Sequence, residues 1–129
     1  MTSFFTPEEF RCRCGRTDCD APSMIQPALL TLLNQIREQL ARPVLITSGL
    51  RCAKYNALPQ IGGEKESAHL TGHAADIACA SGTDRFATVR AALAVGARRV
   101  GVGTTFVHID VASLTHAQDV LWLYPVRSA

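Results

Sequence analysis

The chain has 129 residues, 47% of them apolar, which is a common size for one domain with its own core, so we predict a single domain over residues 1–129. Its 13 basic and 11 acidic residues leave a net charge of +2, and the 11 arginines are spread along the chain, which gives no indication of nucleic-acid binding. No apolar run approaches the ~18 residues of a membrane-spanning helix, and the start lacks the regions of a secretory signal, which predicts synthesis in the cytoplasm without membrane insertion.

The first third of the chain carries two helix signals. The segment F-T-P-E-E-F at 5–10 combines a capping box, a proline at the first helical position and two flanking phenylalanines, which predicts a short helix at 7–11. Ser23 and Gln26 repeat the box, and apolar residues then recur at spacings of three and four as far as Leu40. This second helix is expected to be the main core element.

The middle of the chain combines short apolar runs with a long polar stretch. The run V-L-I-T at 44–47 predicts a buried strand, and A-A-D-I-A-C at 74–79 predicts another. Between them, residues 51–67 form a polar stretch that contains a proline and two consecutive glycines. A loop of that length inside a small domain usually has a function.

The last third predicts a helix and three strands. Thr83 is the expected N-cap of a helix that ends at Gly96. The runs R-V-G-V-G at 99–103 and F-V-H-I-D-V at 106–111 predict a hairpin, and V-L-W-L-Y at 120–124 predicts a last strand. The expected fold class is α+β, with helices packed on a small, mostly antiparallel sheet.

Five cysteines are unevenly placed. Cys12, Cys14 and Cys19 crowd together, while Cys52 and Cys79 lie far downstream. Because the count is odd, a disulfide framework would leave one thiol unpaired. The spacing leaves three hypotheses open: a structural zinc site completed by Cys52, one or two disulfides, or reduced thiols. The paired C-x-x-C spacing of a zinc ribbon is absent.

Two segments concentrate histidine and aspartate. In F-V-H-I-D-V, strand alternation points His108 and Asp110 to the same face, where burial requires that they be paired or bound to a metal. The segment S-A-H-L-T-G-H-A-A-D supplies His69, His73 and Asp76, and a chain reversal at its central glycine would bring His69 and Asp76 together. Taken alone, either segment also fits an ordinary hydrogen-bonded polar pair without a metal.

Together these motifs resemble the zinc D-Ala-D-Ala carboxypeptidases and related peptidoglycan endopeptidases, which share a core with the Hedgehog signalling domain. The family's S-x-H-x-x-G-x-A-x-D motif matches residues 67–76, and its final His-x-Asp matches 108–110. The S-G-L-R-C segment at 48–52 is similar to the family's S-G-Y-R, and the loop at 55–63 to its Y/H-N-x-x-V-G-G. The opening F-T-P-E-E-F with its cysteines is similar to that of phage-type members. The resemblance implies a Hedgehog/DD-peptidase-like fold.

The resemblance also implies a catalytic metal and a substrate. One Zn²⁺ would be held by His69, Asp76 and His108, which leaves a fourth tetrahedral position for water. Bound zinc lowers the pKa of that water towards about 7 and polarises the scissile carbonyl. The implied activity is hydrolysis of peptidoglycan stem peptides by a carboxypeptidase or endopeptidase that acts on the cell wall and is encoded by a phage or prophage.

Further roles in catalysis and substrate binding are expected of four residues. Arg51 is the expected cation for a substrate carboxylate, and Ser67 is expected to hydrogen-bond a ligand or substrate. Several relatives carry a glutamate where this chain has Thr105, so the general base needs another residue. Asp110 is the first candidate, as a base or as a residue that orients a ligand, and His73 is the second. Neither Ser48 nor Ser67 lies in a nucleophile-elbow motif, so the sequence does not favour a serine hydrolase.

Two other functions are compatible with the sequence. The missing glutamate at Thr105 favours a non-catalytic, zinc-containing module that binds cell wall or a protein partner, as the Hedgehog branch shows is possible. A metal-free phage structural protein is the third hypothesis. The sequence gives no indication of the oligomeric state.

Overall fold

The computed structural model of the chain describes residues 3–113 and 116–125. The helices are α1 (Pro27–Leu40), α2 (Ala53–Asn56) and α3 (Gly82–Ala94), with 3-10 turns at Pro7–Phe10 and Ala68–Thr71. The strands are β1 (Ile46–Ser48), β2 (Ala74–Ala78), β3 (Arg99–Val102), β4 (Phe106–Asp110) and β5 (Val120–Leu123). None of the helices in these described ranges is long and apolar enough to cross a bilayer.

The five strands form one sheet in the order β1-β2-β4-β3-β5. The first three pairings, β1 with β2, β2 with β4 and β4 with β3, are antiparallel, whereas β5 runs parallel to β3 at the edge. The predicted α+β class with a mostly antiparallel sheet is therefore confirmed. Strands β2 and β4 lie inside the sheet, and their register sets Asp76 directly opposite His108.

One face of the sheet is apolar and packs against α1 and α3. Strand alternation sends the residues of one parity into this core, where each is at most 2% exposed: Ile77, Val100, Val107 and Ile109. Helix α1 contributes the fully buried Leu29, Leu33 and Ile36, which share one helical stripe. Residues of the other parity, including Asp76 and His108, therefore lie on the opposite face of the sheet.

Two predicted helix starts are wrong by a few residues. Helix α1 has Gln26 as its N-cap instead of Ser23, because Pro27 occupies the first helical position, where its missing N–H costs nothing. The N-cap of α3 is Ser81 instead of Thr83, and its hydroxyl accepts a backbone N–H of the first turn at 3.1 Å. A hydroxyl at either position fits the cap pattern, and only the backbone conformation distinguishes them.

The N-terminal segment packs against the chain that leaves β1. Phe5 and Phe10 bracket the first 3-10 turn, with ring centroids 5.7 Å apart, as predicted for a hydrophobic staple. The carbonyl of Phe10 accepts the Leu50 N–H at 2.8 Å, and Arg13 donates to the Ile46 carbonyl at 3.1 Å. The segment is therefore hydrogen-bonded to β1 and to the residues that follow it, within the stretch at 46–50.

The stretch at 51–67 is less irregular than predicted. It contains the four-residue helix α2, whose N-cap is Cys52. The side chain of Asn56, at the end of α2, donates to the Glu64 carbonyl at 2.8 Å and fixes the remaining loop.

Candidate metal centre

Three buried polar side chains meet on the face of the sheet opposite the apolar core. His69 is 2% exposed, Asp76 is 7% exposed and His108 is 4% exposed. The Asp76 Oδ1 atom lies 3.3 Å from His69 Nε2 and 3.0 Å from His108 Nδ1. One ligand atom from each residue lies within 4.8 Å of the others, which is close enough for a single metal ion to contact all three.

A short turn delivers His69 to this point. The Ser67 hydroxyl accepts the His69 N–H at 3.2 Å and caps the 3-10 turn that carries the histidine. The turn ends at Gly72, whose φ of +78° is a left-handed conformation that side chains disfavour. The chain then reverses into β2, so that Asp76 comes back beside His69.

Hydrogen bonding fixes which nitrogen of His69 faces Asp76. Its Nδ1 lies 2.7 Å from the Gly49 carbonyl oxygen, which can only accept, so Nδ1 carries the proton. The neutral ring then presents a lone pair at Nε2, which is buried and has no hydrogen-bond partner among the described residues. That lone pair points toward an oxygen of the Asp76 carboxylate, another acceptor. Such an arrangement is expected where both atoms bind one cation.

His108 is also oriented by a hydrogen bond through one ring nitrogen, here Nε2, while its other nitrogen faces Asp76. Its Nε2 lies 2.7 Å from Asp110 Oδ2, which leaves Nδ1 facing Asp76. The other oxygen of Asp110 accepts from Arg99 Nε at 2.6 Å and from the Ala112 N–H at 3.0 Å. A carboxylate behind a metal-binding histidine is a common way to fix its tautomer.

The electrostatics agree with a bound cation. Burial lowers the pKa of His69 by more than Asp76 raises it, so this ring is neutral at pH 7. Burial alone would raise the pKa of Asp76, but the two histidines hold it below its ordinary value. Burial also opposes protonation of His108, yet Asp110 and Asp76 raise its pKa.

A metal at this point would displace the proton that His108 shares with Asp76. Two imidazoles and one carboxylate form the donor set of a catalytic zinc site.

Arg51 turns inward beside the ligands. Its side chain is only 11% exposed, and one terminal nitrogen lies 3.4 Å from Asp76 Oδ2. The guanidinium also donates to the Ser48 hydroxyl at 3.1 Å and to Asn56 Oδ1 at 3.2 Å. The structure therefore places this predicted substrate-binding cation against Asp76, a candidate metal ligand.

The second predicted proton-transfer residue lies elsewhere. His73 precedes β2 by one residue and has the parity opposite to Asp76, so it projects toward the other side of the sheet. Its Nδ1 lies 2.7 Å from the Thr71 hydroxyl, and it is not part of the ligand group. Thr105 is exposed in the β3–β4 loop.

Three side chains at the site were not predicted from the sequence. The ring of Trp122 lies 5.3 Å from that of His108, and the ring of Tyr124 lies 6.0 Å from it. Both aromatic rings lie over Gly101, where a Cβ would come within 2.7 Å of each. Arg99 packs on Trp122, with its guanidinium carbon 5.0 Å from the ring centroid. Strand alternation in V-L-W-L-Y could have indicated that the two rings share a face, but no local pattern indicates that β5 lies beside β3.

Comparison with known proteins identifies the family. The sequence profile of a family described as Peptidase M15 matches residues 3–110, a range that includes the three ligands and Asp110 and ends before β5. A comparison with curated proteins finds no match. Peptidases of the matching family depend on zinc, in agreement with the two-histidine, one-carboxylate group. The chain belongs to the peptidase M15 family.

Proposed function

We propose that this protein is a zinc metallopeptidase that hydrolyses peptide bonds in the stem peptides of bacterial peptidoglycan. The observation that carries the proposal is the buried, unpartnered Nε2 of His69, which faces the Asp76 carboxylate at 3.3 Å with His108 alongside. Membership of the M15 family supports peptidase chemistry. The substrate class rests on the motifs at 48–52, 67–76 and 108–110, which resemble those of cell-wall peptidases.

His69, Asp76 and His108 would hold the zinc. When bound there, zinc supplies a water whose pKa is lowered towards about 7 and a Lewis acid that polarises the scissile carbonyl. The buried face around these ligands keeps them dehydrated, which strengthens the electrostatic interactions among them.

Asp110 acts as a positioning residue in this proposal. Its Oδ2 is engaged by His108, and its Oδ1 accepts from Arg99 and the Ala112 N–H, so neither oxygen is available to take a proton from water. The carboxylate instead holds His108 with Nδ1 toward the metal. Of the two functions predicted for Asp110, we therefore propose the orienting one.

Arg51 is proposed as a positioning residue for the ligand Asp76. Its contact with Asp76 Oδ2 leaves Oδ1 directed at both histidines. Because its side chain is 11% exposed, it has little surface to offer a substrate carboxylate. Ser67 likewise positions His69 through the backbone instead of contacting substrate.

We propose that the Tyr124 hydroxyl donates a hydrogen bond to the reacting peptide. Burial, together with the negative charge of Asp76, raises its pKa to about 12, so its hydroxyl stays protonated at neutral pH. A neutral phenol near His108 can donate a hydrogen bond to the oxyanion that forms when the peptide carbonyl is attacked. This role differs from the proton-accepting one for which His73 was the second candidate, and His73 lies outside the ligand group.

The test is digestion of purified peptidoglycan by the zinc-loaded protein, followed by mass spectrometry of the soluble products. A carboxypeptidase releases single alanine residues, whereas an endopeptidase releases larger stem fragments. His69→Ala should abolish both, and His116→Ala, outside the ligand group, should retain activity. Intact substrate after incubation with fully zinc-loaded wild-type protein would refute the proposal.

A non-catalytic zinc module is the second candidate, and Thr105 is the observation that favours it. It predicts cosedimentation of the protein with peptidoglycan without any released fragment. The same digestion therefore separates the two functions, provided that binding to the insoluble polymer is measured in parallel.

A further inference from the structure

We propose that Cys12, Cys14, Cys19 and Cys52 bind a second, structural zinc ion. This site is separate from the catalytic ligands, and the proposal does not depend on the peptidase function. It would join the N-terminal segment to the chain that leaves β1.

The sulfur positions fit a shared metal. The four Sγ atoms all lie within 4.8 Å of one another, although 40 residues separate the first cysteine from the last. Four thiolates around one zinc, with Zn–S distances of about 2.3 Å, would stand about 3.8 Å apart. All five cysteines are unbonded to other sulfurs, and the fifth, Cys79, lies apart from the group with its sulfur against Thr88.

Backbone amides aim at the sulfurs of this cluster. The N–H groups of Cys52, Arg16 and Tyr55 donate to the sulfurs of Cys12, Cys14 and Cys52 at 3.3, 3.4 and 3.5 Å respectively. A neutral thiol is a weak acceptor, so N–H groups directed at three of the four sulfurs are expected of thiolates that bind a metal and need orienting.

Local charges favour an anionic cluster. Four thiolates with one Zn²⁺ carry a net charge of −2, which requires nearby cations. Arg16 lies beside the cluster, since its backbone N–H donates to the Cys14 sulfur at 3.4 Å. Asp18 holds Arg16 at 2.8 Å and Lys54 at 2.9 Å, so both cations stay at the loop that carries the cysteines.

The position of this site connects it to the catalytic centre. Cys52 directly follows Arg51, which contacts the ligand Asp76, and it is also the N-cap of α2, which carries Asn56. A metal at the cysteines would therefore fix Cys52, the residue next to Arg51 and the start of α2. Two disulfides among the same cysteines would give a similar connection, so the experiment must distinguish metal from oxidation.

The first test is metal analysis of protein purified under reducing conditions and loaded with zinc. Wild-type protein should bind about two zinc ions per chain, and the double variant His69→Ala/His108→Ala should retain about one. Cys19→Ser should lose the second ion, and the matched control Cys79→Ser should retain both. Cobalt substitution gives a second readout, because the sulfur-to-cobalt charge-transfer band should persist in the histidine double variant and disappear in Cys19→Ser.

A measurement on the wild-type chain covers the case in which a cysteine variant fails to fold. Alkylation followed by mass spectrometry should show the four cluster cysteines protected in zinc-loaded protein and reactive after chelation. Equal reactivity in both states would overturn the proposal. So would two disulfides in the freshly purified protein, or a histidine double variant that binds no zinc with its thiols reduced. Each of these results is independent of peptidase activity.

Discussion

Replacing Asp110 with asparagine tests how the protein fixes the metal-facing nitrogen of His108. The substitution preserves the shape of the side chain but removes its charge and one of its acceptors. Asp110 now accepts from His108 Nε2 at 2.7 Å, from Arg99 Nε at 2.6 Å and from the Ala112 N–H at 3.0 Å. Asparagine has a single acceptor oxygen, so these three contacts cannot all be kept.

The tautomer of His108 determines the size of the effect. If the asparagine oxygen stays with Arg99, its NH₂ group faces His108 Nε2, which must then present a lone pair. The ring proton moves to Nδ1, where it blocks the metal. Loss of such an orienting partner typically weakens metal binding about 10- to 100-fold, equivalent to about 1.4–2.8 kcal/mol. We expect Asp110→Asn to fall in this range and peptidase activity at limiting zinc to fall with it.

Zinc affinity should be measured by competition with a chromophoric chelator at fixed pH. The matched control is Asp119→Asn. Asp119 also accepts from an arginine, at 2.8 Å, but its side chain is 72% exposed and it is not part of the ligand group. Its φ of +59° is tolerated by asparagine. The control should bind zinc as tightly as the wild type. Wild-type affinity in Asp110→Asn, with a normal thermal transition, would refute the reasoning.

Three further predictions concern neighbouring features. Gly101→Ala should destabilise the fold by about 1–3 kcal/mol in urea denaturation, because its new methyl meets the rings of Trp122 and Tyr124; an unchanged midpoint would contradict the described packing of β5. Tyr124→Phe should lower kcat about 10²- to 10³-fold at unchanged zinc content, and a change confined to KM would argue against an oxyanion donor. Ser81→Ala should cost about 1 kcal/mol through loss of the α3 cap, whereas Thr83→Ala should cost less; the reverse order would contradict the assigned helix start.

The sequence was most informative where a local pattern and the sheet pairing agreed. Alternation in F-V-H-I-D-V put His108 and Asp110 on one face, and the structure shows them hydrogen-bonded there. The glycine in S-A-H-L-T-G-H-A-A-D indicated the reversal that brings His69 to Asp76. Strand positions came within about two residues, because apolar alternation directly reflects the buried face.

Features that depend on long-range contacts could not be predicted. The sequence predicted that Arg51 binds a substrate carboxylate, and only the positions of Asp76 and Asn56 show that it turns inward. Trp122 joins the site because β5 pairs in parallel with β3, a choice that no local pattern specifies. The spacing of the cysteines left three hypotheses open, and their convergence follows from the packing of the N-terminal segment on the end of β1.

The most direct test of the account is a crystal structure of the zinc-loaded protein with anomalous diffraction collected at the zinc edge. The account predicts an anomalous peak bonded to His69 Nε2, an oxygen of Asp76 and His108 Nδ1, with Asp110 still bonded to His108 Nε2. A fully loaded crystal with no peak among these three residues, or with zinc bound through His73 or Asp110 instead, would contradict it.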